Sequence, residues 1–466
     1  MTAIVWFRRD LRLSDNPALA AAIATGEPVL PLYIHAPDEE APWQRGAASN
    51  WWLDRSLRAL DASLRAIGST LVVRRGPTLD VLRAVAAEAG ATRIFANRLY
   101  DPAVRERDAR LALVLDVDFV HGGALWAEPD AFANGSGEPY RVFTPFWRKL
   151  RAQLPADKPA PSPKSLRAPK PVVPESIDSL GLKPTIPWDA GFADAWQPGE
   201  AGARRQWKRF ADDALASYSV ERDRPDIDGT SRLSPHLHFG EITPRQLRWA
   251  LESRPATAAT EKFLAELGWR EFSHHLLFHF PDTTTQPLDP KFARFPWSRN
   301  RRGLRAWQRG RTGVPLVDAG MRQLWHTGWM HNRVRMVVAS FLTKNLRRHW
   351  LDGARWFWDT LVDADLANNT QGWQWTAGSG ADAAPYFRVF NPVTQGERFD
   401  PRGEYVKRWL PELAKVPAKF VHAPWAMKPV ELAACGLAGS IYEKPIIDLA
   451  KSREQALAAY AAVRNS

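Results

Sequence analysis

The sequence predicts a parallel α/β unit followed by an all-α unit, and three observations carry that prediction. Short β-branched runs at residues 4–7, 29–35, 70–74, 93–96 and 115–120 alternate with helical segments such as 50–67 and 79–89, the pattern of strand–helix–strand crossovers. From about Leu154 to Gly199 the composition turns to Pro, Ser, Ala and Lys, as in KPAPSPKSLRAPKPVVP, which supports neither a helix nor a core and reads as a long connection. Beyond Ala201 strand signals almost cease, and helical runs such as 261–280, 318–346 and 353–361 follow one another between Gly and Pro breaks. The expected division is residues 1–130, a connector over 131–200, and residues 201–466. Two domains also suit a length of 466 residues, which exceeds what one hydrophobic core usually serves.

Composition narrows the function classes. Lys and Arg number 63 against 51 Asp and Glu, a net charge of +12, which fits a polyanionic partner or simple solubility charge. The single cysteine, Cys435, excludes an internal disulfide and a thiolate set for an iron–sulfur or structural zinc centre, and it suits a reducing cytosol. The opening MTAIVWFRRDLRL has a short apolar run followed at once by arginines, and nowhere do about 18 apolar residues run together. A cytoplasmic, monomeric protein with no membrane segment is expected. Tryptophan is the outlier: of 22 in the chain, 14 lie between Trp207 and Trp425. Indoles in such number serve as core or as redox-active groups.

No G-x-G-x-x-G or Walker string follows any strand run, so a nucleotide cofactor would have to be held in another way. Residues 229–235, GTSRLSP, set hydroxyls and an arginine before a proline; taken alone they read as an N-cap and turn, or as donors for a diphosphate. In ELGWREF, Glu266, Trp269 and Arg270 share one helix face. Asn332, Arg335 and Met336 do the same in WMHNRVRM, while Arg333 points elsewhere. Such mixed faces form a pocket wall, an interface or a solvated face. The run DTLVDADLANNTQGWQWTAGSGADAAPYFRVFNP holds Asp363 and Asp365 in an acidic turn, then Asn368, Asn369, Trp373 and Trp375, and polar groups of that density need partners. His275 and His279 have i, i+4 metal spacing, but no carboxylate completes a zinc motif, and with His274 they read as structural.

With these residues in view the chain resembles the photolyase/cryptochrome family, and within it the bacterial cyclobutane pyrimidine dimer photolyases. The likeness runs through VWFRRDLRLSDNPAL (5–19), FTPFWR, GTSRLSPHLHFG and DAGMRQLWHTGWMHNRVRM, and is densest from Asp363 to Pro392. It implies a Rossmann-like antenna domain and an all-α domain holding U-shaped FAD. By matching position, Tyr218, Thr230, Ser231, Arg232, Leu233 and Ser234 would contact the FAD phosphates and sugars. Arg270, Asn332, Arg335, Asp363, Ala364 and Asp365 would surround the rest, with an Arg335–Asp363 pair fixing charge beside the flavin ring. Asn369 would face flavin N5, where plant-type cryptochromes carry an aspartate and animal ones a cysteine.

The resemblance further implies light-driven repair of UV-damaged DNA. An electron from excited reduced FAD would split the cyclobutane ring of a flipped-out lesion and return, with no nucleophile or general acid required. Glu266, Trp269, Asn332, Met336 and Trp375 match the lesion pocket, in which the indoles would cover the dimer while Glu266 and Asn332 bond its polar edges; Arg222, Arg333 and Gln395 match positions near the DNA. Trp373, Trp350 and Trp297 match an electron-transfer chain, leaving Trp307, Trp325, Trp356 and Trp358 as packing. For a second, antenna chromophore, ANRLYDPAVRERD has Asp101 where folate-binding members place a glutamate. Methenyltetrahydrofolate is the first expectation and a deazaflavin the second, with Trp43, Tyr100 and Asp101 as candidate contacts. The rival readings are a cryptochrome, a (6-4) photolyase, and a non-catalytic nucleic-acid-binding protein. Asn369, the lesion-pocket set and the lack of a long tail after about Val430 argue against the first, and Asn332 with Met336 in place of a histidine-rich pocket argues against the second.

Overall fold

The computed structural model describes residues 1–154, 157–383 and 387–464, so the stretch from Asp363 to Pro392 is described except for residues 384–386. Five strands, β1 (Thr2–Phe7), β2 (Val29–His35), β3 (Val72–Arg75), β4 (Ala91–Asn97) and β5 (Val117–Val120), pair in parallel in the order β3–β2–β1–β4–β5. β1 and β2 are buried along their whole length, as strands covered on both faces must be, whereas the edge strands β3 and β5 are short and partly exposed. β3 begins at Val72 rather than at residue 70, because the Leu71 N–H and the Thr70 hydroxyl both bond Asp61 on the preceding helix, Ala47–Ala66. The sheet core is built of Ile4, Trp6, Leu30, Leu32, Val72, Leu82, Val85 and Ile94.

By packing, the chain forms two units. One comprises Met1–Ala216, Ser231–Pro281 and Val362–Ala367; the other comprises Ser217–Thr230, Asp282–Leu361 and Asn368–Ser466. Beyond Val120 no strand occurs among the described residues.

In the first unit the Pro-rich connection is no free tether. Its backbone bonds the sheet region at Leu166 N–H to Ile67 O, Val29 N–H to Arg167 O and Glu175 N–H to Val73 O, and Leu180, Phe192 and Trp196 are buried. Helix Phe143–Arg151 packs its rings on helix Ala258–His279, which starts at a capping box formed by Thr257 and Thr260. The two helices close up at Gly268, where a Cβ would stand 2.4 Å from the Trp147 ring.

In the second unit the expected run over 318–346 is interrupted. Helix Pro315–Thr327 stops at Gly328 in the left-handed conformation (φ +67), helix Asn332–Ser340 follows, and a π-turn continues it over Phe341–Asn345. Helices Trp350–Thr360 and Leu366–Ala377 come next in the chain. No helix among the described residues is long and apolar enough to cross a membrane.

Helix 258–279 is buried round most of its circumference over its second half, and there it buries Glu271 at 3% exposure. The carboxylate accepts the Trp126 N–H at 3.0 Å and lies 3.7 Å from the Arg270 guanidinium, yet burial pushes its pKa up to about 7. A carboxyl raised in this way favours the fold when protonated. Its contribution is full below its ordinary pKa near 4.5 and is lost as pH climbs through about 7. Glu271→Gln keeps an acceptor for the N–H and carries no charge. Denaturant unfolding should show the variant about 3 kcal/mol more stable than the parent at pH 8, with the difference shrinking to about 1 kcal/mol at pH 5; an equal difference at both would contradict the assignment.

Candidate functional site

The acidic turn is a buried charge centre of the first unit. Asp365 lies just before helix 366–377 at 7% exposure, its Oδ2 3.3 Å from His238 Nδ1 and 3.6 Å from His274 Nε2. His274 Nδ1 stands 3.0 Å from the Arg270 carbonyl oxygen, so that nitrogen carries the proton. Burial opposes ionisation of Asp365, but His274, His238 and Arg270 together hold its carboxyl well below the usual range. Burial also lowers both histidines. The carboxylate is the group that keeps its charge. Asp363 and Ala364 are buried beside it in sequence, and Arg270 donates to Ala124 O at 3.0 Å.

The run from Ser231 to Ser234 does not cap its helix. Helix Ser234–His238 has Leu233 at the N-cap with no side-chain bond, which corrects the capping alternative, and Arg232 adopts the left-handed conformation (φ +51) with its guanidinium 4.5 Å over the Trp196 ring. Gln206 fixes the loop by donating to Ser231 O at 2.7 Å. Hydroxyls with a cation on this run, and an ionised carboxylate in a dry turn, suit a ligand that joins an anionic diphosphate to a ring bearing N–H donors.

Also in the first unit, Glu266 pairs with Lys262 at 3.1 Å, and Trp269, one turn on, lies flat on Phe143 with ring centroids 3.7 Å apart. Of the antenna candidates, Asp101 pairs with Arg9 at 2.8 Å, the Tyr100 hydroxyl donates to Glu128 at 2.8 Å, and Trp43 is buried. His275 Nε2 accepts the Tyr140 N–H and His279 Nε2 bonds Pro129 O, both at 3.0 Å, consistent with a structural role.

The second unit brings together Asn332 and Met336, with Nδ2 4.0 Å from Sδ. Arg333 turns away to Asp223 at 2.9 Å and lies over the Phe399 ring, while Arg335 donates from Nε to Met330 O at 2.7 Å. Tyr218 is buried with the Arg222 guanidinium 5.7 Å over its ring, Thr230 is half-buried, and Gln395 sits on helix Pro392–Phe399. Trp375 faces Phe390 and the Arg388 guanidinium. Asn369 donates one Nδ2 N–H to Ala354 O at 3.0 Å, which orients the amide and leaves its carbonyl oxygen as an acceptor.

The indoles of this unit form a graded series. Trp373 is buried and its ring fills the space that a Cβ on Gly353 would occupy, at 2.0 Å. Trp350, one helical turn before Gly353, is buried as well; it stacks beside His349, which meets the half-exposed Trp297 edge-on at 5.1 Å. Trp307 is core, donating to Val338 O and touching Trp373 edge-on at 6.2 Å. Trp325 is not: it is 54% exposed and stacks on Trp356, because it lies one residue off the buried stripe Leu316–Val317–Gly320–Met321–Leu324.

Four residues of these surroundings were not identified by sequence. His238 lies in the quoted run HLHFG, but nothing there marks it as a partner of Asp365. Glu271 and Gly353 carry no local signal. Lys344, a lone lysine in the apolar run ASFLTK, is buried, donates to Ala377 O at 2.7 Å and stands 3.1 Å over the Phe387 ring, and burial lowers its amine well below the usual range.

Residues 3–164 match the family model described as DNA photolyase, and residues 263–462 match the FAD binding domain of DNA photolyase. A deoxyribodipyrimidine photo-lyase of Agrobacterium fabrum is 48% identical over 99% of this chain and 98% of its own. Cryptochrome-1 of Arabidopsis thaliana is 40% identical over 97% of this chain and 69% of its own. The crystal structure of a bacterial class III photolyase from Agrobacterium tumefaciens superposes with a TM-score of 0.95 at 46% identity, covering 100% of this chain and 98% of that one.

Gly353→Ala should force the Trp373 ring aside and destabilise the fold by about 1–3 kcal/mol. Thermal unfolding with near-UV circular dichroism checks this; an unchanged indole spectrum would show that the ring is not held there.

Proposed function

We propose that this chain, which belongs to the photolyase/cryptochrome family, is a deoxyribodipyrimidine photo-lyase that uses light to split cyclobutane pyrimidine dimers in DNA. The observation that carries the reading is Asn369. It is neutral, the bond from its Nδ2 to Ala354 orients the amide, and its carbonyl oxygen is the atom that can accept an N–H. An aspartate there would set a negative charge against an anionic reduced cofactor.

FAD is the cofactor, and when bound it supplies the light absorption and the transferable electron. The residues proposed to hold it are Tyr218, Thr230, Ser231, Arg232, Leu233 and Ser234 for the phosphates and sugars, and Arg270, Asn332, Arg335, Asp363, Ala364, Asp365 and Asn369 for the remainder. For Asp365 the support is its enforced ionisation, which makes it an acceptor for a ligand N–H. Trp269 and Trp375 cover the apolar faces of the lesion, and Glu266 and Asn332 bond its polar edges. Photolyases as a group extrude the damaged nucleotide to reach such a pocket. Arg222, Arg333 and Gln395 would steady the strand, and the +12 charge attracts phosphate. Trp373, Trp350 and Trp297 restore the reduced state from the surface.

The functional division at residues 130 and 200, a cytoplasmic location and a monomeric state belong to the same proposal. So does an antenna chromophore, methenyltetrahydrofolate before a deazaflavin, near Trp43, Tyr100 and Asp101. The polar ends of Tyr100 and Asp101 are engaged by Glu128 and Arg9, so these two would contribute ring and backbone surface.

Purified protein should contain FAD and convert thymine dimers to thymines only under illumination, with DNA affinity falling as salt rises. Bound FAD without light-dependent repair would make a photoreceptor the better reading. Trp350→Phe should slow photoreduction at least tenfold while repair by pre-reduced protein stays near the parent rate; loss of both would remove the electron-transfer role.

A further inference from the structure

Between Asp289 and Asp318 the chain carries eight cations and no acid. All eight are exposed, and among the described residues none of them forms an ion pair. Helix Arg301–Gln308 concentrates them. Arg301, Arg302, Arg305 and the C-capping Arg309 fall on one arc of its surface, opposite Gly303 and Trp307, which are buried. Arg299 and Arg311 extend the ridge at either end.

Two of these arginines stand where helix electrostatics disfavours them. The first turn contains Arg301 and Arg302 and no acidic residue, so two cations oppose the positive end of the helix dipole. Surface charge chosen for solubility would not select that placement, because glutamates there would serve equally and favour the helix. The ridge thus stands at a local cost to the helix.

Its position identifies the use. Trp297, two residues before Arg299, is the half-exposed end of the aromatic series that runs through His349 to the buried Trp350 and, past Gly353, to Trp373. The inward side of the arginine helix carries Trp307, which touches Trp373 directly. Residue 298 is pinned by its N–H to Arg347 O and by Arg348 donating to its carbonyl, so Trp297 and the ridge are held in fixed register.

We propose that this arginine ridge is a capture surface for a small anionic one-electron reductant that re-reduces Trp297. The inference rests on the electron-transfer role assigned above to Trp297, Trp350 and Trp373. The donor anion gives one electron to the oxidised indole of Trp297 and leaves as its one-electron-oxidised radical. Where the indole has shed its Nε1 proton to water, that proton returns from water. Concentrating anions at the exposed end raises the bimolecular rate without any change along the chain. A nucleic-acid surface would also use arginines, but it would have no need to begin two residues from the exposed end of an aromatic series.

The test follows decay of the tryptophan radical after a flash in the full-length FAD-loaded protein, with ascorbate as the anionic donor and dithiothreitol as the neutral one. In R301E/R302E/R305E the second-order rate with ascorbate should fall about tenfold at low salt and lose its salt dependence, with the dithiothreitol rate unchanged. R301Q/R302Q/R305Q should fall by less, in proportion to charge. An equal effect on both donors, or no effect on ascorbate, overturns the proposal. So does a loss of affinity for undamaged duplex DNA with donor rates unchanged, which would make the ridge a DNA surface. Trp297→Phe separates the two claims: if it leaves radical decay unaltered, the electron-transfer reading fails as well; if it abolishes the donor-dependent decay while the arginine variants change nothing, only the capture surface fails.

Discussion

A carboxylate almost wholly removed from water keeps its charge only if the fold supplies partners for it, and Asp365 is the residue that imposes this requirement. Its oxygens draw His238 from one short helix and His274 from the long helix 258–279 into the same place. That is why residues 362–367 pack with the first unit although the segments on either side of them pack with the second. The same centre orients Arg270, whose carbonyl receives His274 Nδ1–H and whose guanidinium holds Ala124. A buried acid, two imidazoles and an arginine thus set the geometry from which the helical portion of that unit is arranged.

Much of the architecture was legible because it follows from burial on two faces or on one. β1 and β2 are covered above and below, so their sequences are continuous β-branched and apolar runs that stand out at once. Side chains whose role depends on distant neighbours were not. Glu271 is one of several acids on its helix, and only the structure reveals that it is the buried one and that residue 126 supplies its hydrogen bond. The indoles share one signature in sequence whether they are core, like Trp307, or surface, like Trp325, although the position of Trp325 beside the apolar stripe was a signal that could have been used. The acidic turn was visible as a cluster of polar residues, but its histidine partners lie 91 and 127 positions away along the chain.

Glycines set the spacing of the aromatic groups. At Gly268 and Gly353 the absence of a methyl group lets a tryptophan ring lie directly on a helix backbone. A helix that admits an indole this closely fixes the separation between Trp373 and the turn bearing Trp350 more rigidly than side-chain packing alone would. Asn369 adds a second fixed point, since its bond to Ala354 ties the neighbouring turn of helix 366–377 to the same helix. The indoles and the asparagine share one support.

The connection from residue 154 to 199 has a consequence for how the molecule comes to exist. Its amides and carbonyls close the start of β2 and the flank of β3, its Val172 joins the sheet core, and its Phe192 and Trp196 meet Trp51 and Trp52 of helix 47–66 edge-on. During synthesis, the five strands emerge well before these residues do. The nascent sheet therefore waits, incompletely covered, for a proline-rich segment some fifty residues beyond its last strand. What reads as a spacer is the last structural layer of the first half of the chain, and cutting or shortening it would be an injury to the sheet.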